Sequence, residues 1–289
     1  METTELLKKV RAVELRTRGL SNQIFSGEYH SAFKGRGMAF SENREYQHGD
    51  EIRAIDWNVT ARMNHPYVKV FEEERELTAM ILVDVSASGD FGTRKQLKRD
   101  LITELTAVLA FSAIQNNDKI GVLFFSDRIE RFIPPKKGRS HILRIIRELI
   151  EFEATGKGTD ISNALDYMNK MMKKRAICFV LSDFIDDRFE KNLRITSKKH
   201  DVVAIRIEDP GESHLPKAGW LLLKDPESGE ERWINSSRKR NRRAMEIAHR
   251  KRREVLQQTF TRAGVDHISL RTDHPYVKPL MNLFKQRGA

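Results

Sequence analysis

Short apolar runs alternate with amphipathic stretches along most of this chain, and that alternation restricts the folds open to it. Residues 79–83, 120–125, 176–181 and 202–207 are near-continuous apolar runs too short for buried helices, and they read as strands covered on both faces. Between them, residues 98–115 place Leu101, Ile102, Leu105, Val108, Leu109 and Ala113 at the spacing of a helix packed on a sheet. Further helices are expected at 140–151, 161–172 and 188–197, with a turn at Pro134-Pro135. The alternation predicts an α/β fold, a doubly wound, mostly parallel sheet with right-handed crossovers and helices on both faces. Such sheets bind ligands beyond the carboxyl ends of their strands, which directs attention to the loops after Val83 and Leu181.

The two ends of the chain depart from this rhythm. Residues 5–18 carry Leu6, Val10 and Val13 at helical spacing before Gly19, and residues 26–69 read as an irregular wrap with room for two short strands. Past Asp209-Pro210, residues 220–223 and 232–234 flank the turn Asp225-Pro-Glu-Ser-Gly229, a hairpin added at the edge. A basic helix over 237–262, a strand over 266–270 and a closing helix follow, with Asp273 and Pro275 as cap and first-turn pair. The expected organisation is a wrapped segment, 1–76, on a domain spanning 77–289, with the hairpin inserted near 210–236. The pentapeptide His-Pro-Tyr-Val-Lys occurs at 65–69 and again at 274–278, but the flanks do not match and it reads as coincidence.

Composition narrows the class without naming a task. The first thirty residues hold no apolar run long enough for a signal peptide, and nothing elsewhere approaches a membrane-spanning length, so a cytoplasmic location is expected. The single cysteine, Cys178, lies within an apolar run and is expected to be a buried thiol; a disulfide or a cysteine metal cluster is excluded. The net charge of +11 suits an acidic protein, a nucleic acid or an anionic membrane surface, and much of it comes from residues 238–253.

The chemistry gathers at the strand ends. Asp84-Val-Ser86-Ala-Ser88 alternates a carboxylate and two hydroxyls with small residues, which directs all three to one side. Gly158-Thr159-Asp160 opens the helix at Ile161, and Ser182-Asp183 ends the run 176–181, bringing Asp183 beside Asp84 if those strands are neighbours. Two carboxylates 4 Å apart at an effective dielectric of 20 repel by about 4 kcal/mol, and a hard divalent cation removes that cost. Hydroxyl, carboxylate and water oxygens suit Mg2+, with Mn2+ or Ca2+ as alternatives.

Asp-x-Ser-x-Ser, a distant Thr after glycine and a later Asp after an apolar strand resemble the metal-ion-dependent adhesion site of von Willebrand factor A domains. The resemblance implies a von Willebrand A-like, Rossmann-type fold. It makes Ser86, Ser88 and Thr159 direct hydroxyl ligands, lets Asp84 and Asp183 act mostly through water, and leaves one position for a partner's Glu or Asp. Arg44-Glu-Tyr46, Gly49-Asp50, Arg53, Ile55-Asp56-Trp57 and Ala61-Arg62 are similar to the hallmark of the bacterial "domain of unknown function 58" family. Members commonly accompany MoxR-type AAA+ ATPases, which implies a non-catalytic, metal-dependent protein-interaction module acting as adaptor or co-chaperone. One departure is Gly89, where that family often has methionine.

Other readings stay open at this point. A basic helix neutralising six to ten phosphates would lose about 10^3 to 10^5 in nucleic-acid affinity as salt rises; Arg242, Arg243, Arg252 and Arg253 are the candidates for that contact or for an acidic protein surface. Met245, Ala248, Val255, Leu256 and Phe260 give the same helix an apolar face, so its arginines also fit a solvated side. A metal-dependent hydrolase would use the Asp84 loop with a histidine, yet His48, His65, His141 and His274 lack the spacing of a nucleophile elbow or a metalloprotease helix. Around residues 44–62, Asp50 and Asp56 are expected to pair with arginines or cap turns, with Trp57 packed on the sheet.

Overall fold

A computed structural model describes residues 10–15, 17, 38–73, 77–93, 96–186, 188–224, 227 and 229–288. Its elements run β1 (Met38–Glu45), α1 (Trp57–Met63), β2 (Tyr67–Glu73), β3 (Thr78–Asp84), α2 (Lys98–Gln115), β4 (Lys119–Phe125) and β5 (Ile129–Lys136). They continue with α3 (Arg139–Glu151), α4 (Ile161–Met171), β6 (Ile177–Ser182), α5 (Glu190–Lys199) and β7 (Asp201–Glu208). After a single helical turn at Pro210–Ser213 come β8 (Trp220–Lys224), β9 (Glu231–Asn235), α6 (Lys239–Ala263), β10 (Asp266–Arg271) and α7 (Val277–Gly288). Residues 10–15 are helical, as the lead-in pattern requires; the remainder of that expected helix, apart from residue 17, lies outside the described residues.

The central sheet has the order β10-β7-β6-β3-β4-β5. All its neighbours are parallel except β4 and β5. Alternate residues of β3 feed two separate cores, as a strand buried on both faces must. Ala79, Ile81 and Val83 pack in the cluster that holds Leu105 of α2, Ile145 of α3 and Phe284 of α7. Met80 and Leu82 pack in the one that holds Leu165 of α4, Leu193 of α5 and Phe260 of α6. The chain therefore forms the helix-covered, doubly wound sheet that the alternation requires. α2 is enclosed on nearly every side, so that Lys98, Thr103, Glu104, Thr106 and Ser112 are buried along with its apolar residues.

Several local expectations are corrected. Pro134 and Pro135 form no turn but lie within β5, where the register with β4 shifts between Ile120 and Val122. Residues lacking an N–H are tolerated at such an irregular edge position. Gly121 faces them closely: a Cβ there would lie 2.9 Å from both Ile133 O and Pro135 N. The closing helix starts at Val277 rather than after Asp273. The Asp273 carboxylate instead accepts from Arg271 and from His274 Nδ1 at 2.7 Å. Trp57 does not pack on the sheet and is 66% exposed, although Arg44 grips Asp50 in two hydrogen bonds and Asp56 caps α1 through the amides of Asn58 and Val59. The repeated pentapeptide enters a strand at Tyr67 and a helix at Val277, so its copies share no structure.

At the N-terminal side, β1 and β2 form an antiparallel ribbon separate from the central sheet, with α1 between them in sequence. β8 and β9 form a second ribbon in the register Leu222 opposite Trp233 and Lys224 opposite Glu231. Ser236 pins its base, donating from N and Oγ to Gly219 O at 2.7 and 2.8 Å. Among the described residues, no helix is long and apolar enough to cross a membrane.

Candidate metal centre

β3 and β6 are hydrogen-bonded neighbours with Val83 opposite Leu181, so Asp84 and the pair Ser182-Asp183 leave the sheet side by side at its carboxyl end. Ser86, Ser88, Asp84 and Asp183 are all buried although polar. Backbone hydrogen bonds hold the loops that carry them: Val85 N donates to Phe125 O, Ala87 N to Lys157 O and Asp160 N to Ser126 O. Asp160 also caps α4 by accepting from Asn163 N at 2.8 Å, which fixes Thr159 just ahead of the helix.

The five residues expected from sequence meet around Asp84. Ser86 Oγ and Ser88 Oγ are 3.0 Å apart. Asp84 Oδ1 accepts from Ser86 N at 3.0 Å, and Asp84 Oδ2 accepts from Ser182 Oγ at 2.5 Å, with Thr159 Oγ1 at 3.5 Å. Asp183 Oδ1 accepts from Ile185 N at 3.2 Å. Burial and the nearby charge of Asp183 push Asp84 up to about 7, against the hydrogen bonds from Ser182 and Ser86. A carboxylate this reluctant to ionise is a group whose charge is stabilised by an added cation.

The spacing of the oxygens suits a small hard cation. Cis ligands of an octahedral Mg2+, each about 2.1 Å from the metal, are separated by about 3.0 Å. The Ser86 and Ser88 hydroxyls have that separation. Side-chain clusters of three or more His, Cys, Asp and Glu suited to a metal are absent among the described residues. A cation held at these positions would meet hydroxyl and carboxylate oxygens, a composition that suits Mg2+ better than Zn2+.

Residues that sequence reasoning missed complete the centre. Lys98, at the start of α2 and buried, donates to Asp183 Oδ2 at 3.0 Å and also pairs with Glu212. Burial lowers the pKa of its ammonium, but Asp183 and Glu212 outweigh that and leave it above the ordinary lysine value. Two carboxylates and one ammonium leave a single negative charge on this side of the centre. Glu212 reaches Lys98 because Asp209 and Glu212 form a capping box on the turn Pro210–Ser213, with Glu212 Oε2 accepting from Asp209 N. The hairpin adds Glu227, whose Oε1 accepts from Thr159 Oγ1 at 2.8 Å. A lysine opening a helix reads as a solvated charge, and a Glu in a Pro-Glu-Ser turn reads as turn chemistry; only the capping-box spacing of Asp209 and Glu212 left a signal.

The other candidate residues lie elsewhere. On α6, Arg243, Arg252 and Arg253 are exposed, whereas Arg242 Nη1 donates to the carbonyls of Ser236 and Ser237 at 2.7 and 2.9 Å. The expected apolar face is only partly covered: Leu256 and Phe260 are buried, but Val255 is 53% exposed. His141 is buried against Ile120 O, His274 sits by Asp273, and His48 and His65 are exposed. None of them contributes a hydrogen bond to the Asp84 cluster. Cys178 is buried, and burial pushes its thiol pKa up, as expected of an inert core residue.

The strand order and the crossovers make this a von Willebrand A-like fold. The family model described as "Protein of unknown function DUF58" matches residues 42–255, and the chain belongs to that family. It is 30% identical over 297 residues to the uncharacterized protein Rv1480 of Mycobacterium tuberculosis, covering all of this chain and 92% of that one. Among solved structures, an aerotolerance-related membrane protein from Bacteroides fragilis aligns with a TM-score of 0.51 at 15% identity, over 73% of this chain and 99% of the other. The SpRpn10 VWA domain aligns with a TM-score of 0.40 at 13% identity, over 72% of this chain and 94% of the other.

Proposed function

We propose that this chain is a non-catalytic, metal-dependent protein-interaction module. Ser86, Ser88 and Thr159 would hold a divalent cation, preferably Mg2+, through their hydroxyls, with Asp84 and Asp183 acting mostly through water. When bound, the metal supplies a Lewis-acidic position that accepts a carboxylate from a protein partner. The observation that carries this reading is the convergence of three hydroxyls and two buried carboxylates at the carboxyl ends of β3 and β6. Those residues bind and orient; none of the surrounding histidines is placed to transfer a proton there.

An exposed apolar face on the β8–β9 ribbon supports a protein rather than a nucleic acid as partner. Trp220, Leu222 and Trp233 lie on the same face of the β8–β9 ribbon and are 63%, 44% and 64% exposed. Contiguous exposed apolar surface marks contact sites, and aromatic residues dominate the energetics of such contacts. By the family resemblance, the partner is a MoxR-type AAA+ ATPase and the task is that of an adaptor or co-chaperone in the cytoplasm.

The test is capture of partners from native lysate with and without EDTA, using wild type and Asp84→Ala. The reading requires an AAA+ ATPase among the partners of wild type, lost with EDTA and absent with Asp84→Ala. Recovery of the same proteins under all conditions, or of none that is an ATPase, would overturn it.

A further inference from the structure

The β8–β9 hairpin ends beside the metal centre, and that placement has a chemical meaning. Glu227, in the connection between the strands, brings its Oε1 to 2.8 Å from Thr159 Oγ1. Its Oε2 is 3.9 Å from the position a Cβ on Gly158 would take, so the carboxylate lies over the loop that presents Thr159. The separation of 2.8 Å is close to the oxygen–oxygen edge of about 3.0 Å between cis ligands of an octahedral Mg2+. The Ser86 and Ser88 hydroxyls share that spacing in the same centre. An acidic side chain at ligand spacing from a ligand hydroxyl is what an incoming partner would have to supply.

The hairpin holds Glu227 there by identifiable means. Its base is pinned through Ser236 and Gly219, while Lys224 and Glu231, both exposed, pair at 3.2 Å across the strands, a surface contact too weak to fix the connection. One face of the ribbon carries the half-buried Leu221, Leu223 and Ile234, while the opposite face leaves Trp220 and Trp233 exposed. A protein engaging that exposed face would load the element that carries Glu227.

We infer that Glu227 is an internal acidic ligand, supplied by the chain to its own metal in the place a partner's carboxylate takes, and displaced when the partner engages. The inference rests on the metal-centre reading above. It makes the centre self-closing: Glu227 adds a negative charge and a ligand oxygen, which raises affinity for the metal, and it competes with any acidic residue from outside.

The experiment uses the full chain with Mn2+, reading affinity and the number of metal-bound waters by electron paramagnetic resonance and water-proton relaxation. Glu227→Gln is compared with wild type, with Glu231→Gln as the control for hairpin charge and Asp84→Ala as the control for the centre. Glu227→Gln is expected to weaken Mn2+ binding by about tenfold or more and to add one bound water. At matched metal saturation it is expected to bind a capped Ala-Glu-Ala peptide about tenfold more tightly than wild type does. Glu231→Gln leaves both values unchanged. If Asp84→Ala abolishes Mn2+ binding while Glu227→Gln matches wild type in affinity and water count, the internal ligand is overturned and the metal centre stands. Equal weakening by Glu231→Gln, or peptide binding unchanged by Glu227→Gln, also overturns it. No Mn2+ uptake by wild type at millimolar concentration removes both readings.

Discussion

Asp84 is the residue on which the behaviour of the centre turns. Its pKa is raised from 3.8 to about 7, so between those values the folded protein holds a proton that the unfolded chain has released. Stability from this group is therefore lost as pH rises through that window in the absence of metal. A cation that binds the ionised form offsets the loss, so Mg2+ should raise the melting temperature more at pH 8 than at pH 5. Differential scanning calorimetry at the two values checks this, and Asp84→Asn should remove the difference. Lys98 supports a second expectation. Replacing it with Met leaves the buried Asp183 and the half-buried Glu212 without their shared counter-charge, which should cost about 3 kcal/mol in urea unfolding. His200 titrates in the opposite sense: burial, with Lys199 and Arg175 nearby, depresses it to about 4, so its contribution is present above the ordinary value of 6.5 and is lost as pH falls towards 4.

At the scale of elements, α6 and the β8–β9 ribbon carry the most exposed chemistry. α6 is anchored by its C-terminal third, where Leu256, Thr259, Phe260 and Ala263 are buried. Phe260 packs edge-on against Phe184 with centroids 5.0 Å apart. Phe260→Ala should therefore cost about 3–5 kcal/mol, measured by chemical denaturation. Trp233→Ala should leave the melting temperature within about a degree of wild type while reducing metal-dependent capture of partners, since its ring is mostly in solvent. The main strands and helices were legible because strands such as β3 are short unbroken apolar runs buried on both faces, whereas α3 and α4 bury one face at a period of about 3.6. β5 was misread because Pro134-Pro135 signals a turn wherever no neighbouring strand is known. The start of α7 was missed because Asp273 is engaged by Arg271 and His274, a competition that spacing alone does not reveal. Of the candidate site, the convergence of Asp84, Ser86, Ser88, Thr159 and Asp183 was legible from the strand ends and their spacing. Lys98, Glu212 and Glu227 were not, since their approach depends on how α2, the Pro210–Ser213 turn and the hairpin pack.

For the whole molecule, the sheet divides the labour. The carboxyl ends of β3 and β6 gather the ionisable groups, and the two cores on either face hold those strand ends in fixed register. The same sheet has unequal margins. At β5 the ladder is interrupted where Pro134 and Pro135 fall, and an extended peptide laid alongside would meet an irregular edge with a proline that has no N–H to offer. That margin is a poor template for a further strand, so the sheet cannot readily be lengthened there into a ribbon of stacked copies. Association is thereby steered away from backbone pairing along this side and towards side chains on loops and ribbons, where recognition can be selective and reversible.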